Sequence, residues 1–301
     1  MRKIIFFIFF IPAFSVLAQG DTAAVSPWKL DGFLSQQLNQ ISFTNWAAGG
    51  ENSFSTTSIG VITANYSKEN NSWENKLDLA YGVIKIQNNP LRKNEDKIDF
   101  LSKYGRKVSE KLNLAGLVNF RSQFADGYKY PNDVDIVSTF LAPGYLLAAL
   151  GIDYKPVEFL SIFFSPATGK FTFVLDETLS EIGAFGVTPG EKVNPEFGAM
   201  ATLTFNKEVF ENVRLRSRLE LFNNITDSDK RNRKNTDVNW ETGVNMKVNR
   251  FITASVGFHL MYDHDIPISI YETINNEQVL VGTGPRTQFK QLFGIGLSYA
   301  F

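Results

Sequence analysis

Through most of residues 28–301, apolar and polar residues alternate with a period of two in segments often ten or more residues long. In "KLNLAGLVNFRSQF", Leu112, Leu114, Gly116, Val118, Phe120 and Phe124 share one face, and Lys111, Asn113, Asn119, Arg121 and Gln123 share the other. "VRLRSRLELF" repeats the pattern, setting Val213, Leu215, Leu219 and Leu221 against Arg214, Arg216, Arg218 and Glu220. Successive side chains of a strand point to opposite faces, so each such segment is a strand with one apolar and one wet face. About twelve segments follow this rule, near 28–43, 53–67, 72–85, 97–109, 111–125, 145–154, 158–166, 195–206, 212–223, 237–248, 251–263 and 288–301.

The connections alternate in length. Short turns fall at 68–72, around Glu110, at 155–158 and at 249–250. Longer polar or glycine-rich loops fall near 86–96, 126–144, 167–194, 224–236 and 264–287. Strands of this length exceed the globular mean of roughly 5–6 residues. An even number of long strands, with short turns at one end and long loops at the other, predicts a transmembrane antiparallel up-and-down β-barrel. Alternation alone also fits a secreted sandwich or a lipocalin-like barrel, whose apolar faces would point inward. Three features favour the membrane: strand length, aromatic residues placed for interfacial girdles (Trp28, Trp46, Tyr66, Trp73, Tyr104, Tyr262), and the C-terminal segment "QLFGIGLSYAF". That segment puts Phe293, Ile295, Leu297, Tyr299 and Phe301 on one face, in the manner of a barrel-assembly signal. "YLLAALGIDY" is apolar on both faces and leaves open which face meets lipid.

The N-terminus carries Arg2 and Lys3, then an apolar run from Ile4 to Leu17, and Val16 and Ala18 at positions suited to cleavage. This predicts a signal peptide over 1–18, a mature barrel over 19–301 and a destination in the Gram-negative outer membrane. Loss of the leader moves the formal net charge from −1 to −3, which offers no bulk attraction for nucleic acid. There is no cysteine, so thiolate metal sites, thiol nucleophiles and disulfides are excluded. No cofactor is expected.

"NWAAGGENSFS" after the first strand, "SPATGKFTFV" in mid-chain and the aromatic C-terminal strand together resemble a Bacteroidota outer-membrane family, domain of unknown function 3078. Trp46, Gly49, Gly50 and Asn52 carry the resemblance most specifically, followed by Ser165, Pro166, Gly169 and Lys170. The resemblance extends over the mature chain. It implies an architecture and a location, and no activity. As a loop, "NWAAGGENSF" reads as a hairpin with Trp46 at the membrane boundary. No helix follows it to make a phosphate cradle.

Candidate chemistry centres on charge. If the apolar faces meet lipid, Arg214, Arg216, Arg218 and Glu220 line the lumen, as do Lys97 and Asp99 with Lys103 and Lys107, and Glu74, Lys76 and Asp78. The ladders fit either a narrow channel favouring anions or an interior filled by ion pairs as a closed scaffold within an outer-membrane complex. A serine–histidine hydrolase would need His259 or His264, and neither sits in a nucleophile motif. "DHD" (263–265) offers too few convergent ligands for a metal. Lys230, Arg231, Arg233 and Lys234 form a basic loop, read as solvated or touching lipopolysaccharide phosphate. The expected partners are outer-membrane lipid and lipopolysaccharide, and the barrel-assembly machinery through Phe301.

Overall fold

The computed structural model describes residues 26–42, 51–87, 89–130, 132–274 and 277–301. Its strands are β1 (Trp28–Ile41), β2 (Ser53–Lys68), β3 (Asn71–Ile86), β4 (Arg92–Lys107), β5 (Leu112–Ser122), β6 (Gly127–Tyr128), β7 (Ile136–Ser138) and β8 (Gly144–Val157). They continue with β9 (Leu160–Phe173), β10 (Val193–Phe210), β11 (Val213–Asn224), β12 (Asp237–Lys247), β13 (Ile252–Tyr262), β14 (Ile268–Ile274), β15 (Glu277–Gly284) and β16 (Gln288–Ala300). Twelve of them close into one antiparallel barrel in the order β1-β16-β13-β12-β11-β10-β9-β8-β5-β4-β3-β2. The pairs β6–β7 and β14–β15 are small hairpins within the long loops.

The wall turns its apolar face outward. Leu30, Phe100, Leu114, Leu150, Phe164, Phe258, Phe293 and Leu297 are all exposed on it, an apolar surface far beyond what a soluble monomer presents. Barrel strands of 11–18 residues exceed the roughly 9–11 needed to cross hydrocarbon at a tilt. The sandwich and lipocalin alternatives put this face inside and are excluded by it. The fold is a transmembrane β-barrel. At the short-turn end Trp28 packs on Tyr66 and Trp73, with ring centroids 5.2 and 5.8 Å away, and the Tyr104 hydroxyl donates to Asn71. This is one aromatic girdle.

The doubly apolar segment now has a direction. Leu147 and Ala149 of β8 point inward and are buried, while Leu150 and Ile152 face lipid. With Ala115, Leu117, Phe163, Met200 and Phe222, and with Leu101 packed against them, they form an apolar core inside the barrel, against the wall from β4 to β11.

Two expected boundaries are corrected. β4 begins at Arg92 rather than 97, and the supposed loop from 167 is strand as far as Phe173. The stretch from 167 reads as a polar, glycine-rich loop by composition. Instead β9 bulges: Ile152 of β8 pairs with Phe164, and Leu150 with Ala167, so three residues answer two. Ser165 Oγ lies 2.8 Å from the Leu150 carbonyl oxygen and 2.9 Å from that of Ala167, and Thr168 donates to it at 2.8 Å. These hydroxyls stitch the bulge.

The closing seam, β1 against β16, has five register pairs, from Phe33↔Ala300 to Gln37↔Gly296, against fourteen between β1 and β2. Phe301 extends it: the Gly32 N–H donates to the Phe301 carbonyl at 2.8 Å, and the Phe301 N–H donates to the Gly32 carbonyl at 3.0 Å. A Cβ at Gly296 would collide with the Gln36 carbonyl oxygen and Gln37 Cα, which are backbone atoms with nowhere to turn. Gly296→Ala is therefore expected to cost about 1–3 kcal/mol of stability, read from the denaturant midpoint of the strand circular-dichroism signal. Gly282→Ala, with nothing within 4 Å of its Cβ, should leave the midpoint unchanged.

Candidate functional site: the charged lumen

On most wall strands the polar face points inward, so residues far apart in sequence meet across the lumen. Lys97 on β4 and Glu241 on β12 stand six strands apart in the ring of twelve, which makes them diametrically opposed. The Lys97 ammonium donates to Glu241 at 2.7 Å and lies 3.5 Å from Asp78 and 4.0 Å from Asp99. Beside this crossbar, Arg121 of β5 and Arg218 of β11 both reach one oxygen of Glu220 at 2.8 Å. Asn119 donates to Asp99 at 2.6 Å, and Arg121 sits 3.8 Å from the same carboxylate. A charged layer thus crosses the lumen at mid-height. In low dielectric an unpaired charge is costly, and each charge here has an opposite partner.

Two further groups flank it. Toward the short turns, Lys103 bonds Asp153 at 2.9 Å and lies 3.4 Å from Glu74, which also accepts from Lys155. Toward the long loops, Lys170 is held by Asp237 (2.8 Å), Asp263 (2.9 Å) and Glu196 (3.1 Å), and Glu95 takes Lys290 with both oxygens at 2.8 and 3.0 Å. Outside the wall, burial and then the neighbouring Asp263 carboxylate raise the Asp265 carboxyl above the ordinary carboxylate range.

A cavity of about 840 Å³ occupies the side of the lumen that the apolar core leaves free. All six expected lumen charges, Arg214, Arg216, Arg218, Glu220, Lys97 and Asp99, border it. Its two ends differ. Near the short turns the side chains of Lys29, Arg214 and Asp31 are 77%, 48% and 47% exposed, whereas near the long loops those of Lys170, Asp263 and Asp96 are 12%, 11% and 3% exposed. The cavity is thus more exposed at its short-turn end, although Lys290 on the long-loop side is itself 53% exposed. In the long loop between β9 and β10, Asp176 caps α1 (Glu177–Glu181) by accepting from the Leu179 N–H at 2.9 Å. Leu179, Val187, Val174 and Ala142 then bury a small apolar cluster there. Ile266, also buried, reaches the cavity from the loop after β13.

The arginine row does not behave as a unit. Arg218 is neutralised by Glu220, Arg214 lies 4.0 Å from the exposed Glu208, and Arg216 has no carboxylate within 4 Å among the described residues. Sequence reasoning did not single out Arg121, Glu241, Lys170, Glu196 or Asp237 as partners. Arg121 and Glu241 were visible on polar faces, but which charge faces which depends on the curvature of the wall. Lys170 was hidden by the bulge, although "FTFV" resumes the alternation after it.

The histidines are engaged locally. His259 Nε2 lies 2.7 Å from the Asn239 amide oxygen, and His264 Nδ1 lies 3.2 Å from the Tyr262 hydroxyl. In the basic loop, Arg231 bonds Asp229 at 2.7 Å, which holds that carboxyl below its usual range. Of the loop marker, Trp46, Gly49 and Gly50 lie outside the described residues. The Asn52 carbonyl accepts from the Gln87 N–H at 2.7 Å.

Residues 38–128 match a family model described as "Protein of unknown function (DUF3078)". That segment belongs to DUF3078. It spans the end of β1 through β6, and the element Ser165, Pro166, Gly169 and Lys170 lies beyond it. No curated protein matches. Among solved structures, an outer membrane channel from Pseudomonas putida F1 is 10% identical, covering 93% of this chain and 97% of its own, with a TM-score of 0.41. The NanC porin is 8% identical, covering 89% and 99%, at 0.37. The translocator domain of autotransporter NalP from Neisseria meningitidis is 9% identical, covering 93% and 90%, at 0.35. At these identities the likeness carries nothing about solute or activity.

Because two guanidinium groups rest on Glu220, removing its charge leaves both short of a partner. Glu220→Gln is expected to destabilise the barrel by about 3–5 kcal/mol, measured as a lowered denaturant midpoint. Glu208→Gln, at the exposed rim, should change it by less than about 1 kcal/mol.

Proposed function

We propose that this barrel is an outer-membrane channel for small charged solutes, exported on the leader at residues 1–18 and inserted through its Phe301 strand. The observation that carries the reading is what crosses the lumen. At mid-height the cavity is crossed by paired side chains, Lys97–Glu241 and Arg121–Glu220–Arg218. A crossbar of two side chains is released when both turn aside, whereas a backbone plug must unfold or leave as a body. Opposed charges at a constriction also select among ions as they pass. In the same reading Lys230 and Lys234 face lipopolysaccharide phosphates from the long-loop side.

A second reading rests on the internal apolar core. Ala115, Leu117, Leu147, Ala149, Phe163, Met200 and Phe222 pack inside the lumen along the wall from β5 to β11, as they would in a non-conducting scaffold of an outer-membrane complex. Catalysis has little support by comparison: among the described residues neither histidine hydrogen-bonds a serine, and the His259 ring is turned to Asn239.

Planar-bilayer recording separates the two readings. The channel predicts a small unit conductance that rises at least about twofold when Lys97→Met or Glu241→Gln removes the crossbar, since the two side chains no longer tether each other. No unit conductance from the wild type and both variants, at any salt or voltage, would assign the barrel to the scaffold class.

A further inference from the structure

Toward the short-turn end of the cavity one cation, Arg216, has no carboxylate within 4 Å among the described residues, the nearest acidic influences on it being Asp78 and Asp31. On β11, Arg214 and Arg216 both point inward, about 7 Å apart along the strand. They look into the mouth that Lys29, Asp31 and Lys76 share. The other charges there are answered: Lys29 by Asp31 at 3.3 Å, Lys76 by Asp78 at 3.2 Å, and Arg214 at the limit of ion-pair distance by Glu208. Asp78 is further drawn to Lys97 at 3.5 Å. Arg216 alone of this group has no carboxylate within 4 Å, and its Nε is buried without a hydrogen-bond acceptor among the described residues. A guanidinium is a planar fork of donors that fits carboxylate or phosphate oxygens in pairs, and it cannot shed its proton to escape an unsatisfied position.

We infer that the short-turn mouth of the lumen is a binding site for a small multi-oxygen anion, held by Arg216 and supported by Arg214. Phosphate and a short dicarboxylate share the required chemistry: two or more oxygens, at least two negative charges, and a size that fits between guanidinium groups about 7 Å apart. The site faces the periplasm if the short turns do, as in bacterial barrels of this class. It rests on the inward placement of the arginine row and needs no through-conduction, so a barrel that does not conduct can still bind.

The test is calorimetric titration of the full-length barrel in detergent, at fixed ionic strength, with sodium phosphate in one arm and disodium succinate in the other, against sodium chloride. Saturable heat is expected in at least one arm and none with chloride. Heat with phosphate alone identifies a tetrahedral-oxyanion site, and heat with succinate alone a dicarboxylate site. Arg216→Gln should weaken binding at least about tenfold, the scale expected when a charge-assisted pair is lost. Arg214→Gln should weaken it severalfold, and Arg216→Lys, which keeps charge and loses the fork, should fall between. Arg250→Gln, outside the cavity, should bind as wild type. The strand circular-dichroism signal identifies variants that fold. No saturable heat from the wild type in either arm overturns the inference, as does unchanged affinity in Arg216→Gln. Unit conductance without anion binding would sink this site and leave the channel standing; binding without conductance would do the reverse.

Discussion

Everything in this molecule depends on the closure of one hydrogen-bonded ladder. In hydrocarbon a backbone N–H or C=O has no water to fall back on, so a sheet can cross only if its first and last strands find each other. Here that meeting is brief, five register pairs and the bonds between Gly32 and Phe301, while the neighbouring β1–β2 pair runs for fourteen. Phe301 lies at this seam and lengthens it through its two backbone bonds with Gly32. Gly296 permits the approach by having no side chain to hold β1 away.

Once the ring is closed, its interior is a consequence of its exterior. Strands that show lipid one face must turn the other inward, and that face carries Lys97, Asp99, Arg121, Arg218, Glu220 and Glu241 among others. Their burial is tolerable because they pair across the lumen, Lys97 with Glu241 and Arg121 with Glu220, and because an apolar core takes up the space between β4 and β11. The pattern of pairing follows access to water. Charges deep in the barrel and under the long loops are matched, whereas Arg216 is left unmatched toward the end that opens to solvent. A spare guanidinium is affordable where water or a mobile anion can reach it.

Much of the architecture was legible beforehand, for a physical reason: a strand's period of two is a local property, visible in residues 213–222 without knowing any neighbour. The twelve wall strands follow from it, and so does the inward aim of Arg214, Arg216, Arg218 and Glu220. What was misread is equally specific. Pro166 and Gly169 look like a loop because turns use the same residues as bulges, and so Lys170 was placed outside the wall that it in fact lines. "YLLAALGIDY" was ambiguous because its inner face meets an apolar core rather than water, and alternation vanishes when both faces are apolar.

The sequence by itself determined the membrane-spanning class, the strand count and the polar inner face, because these depend only on alternation, strand length and turn spacing within the chain. The tertiary structure alone decided which charges meet, since Lys97 and Glu241 are 144 residues apart and become partners only when the sheet curls through half a turn. It likewise separated three arginines that look equivalent in sequence into one neutralised, one at the rim and one unpaired. Ion pairing is set by distance in space, and the curvature of a closed wall is what fixes that distance.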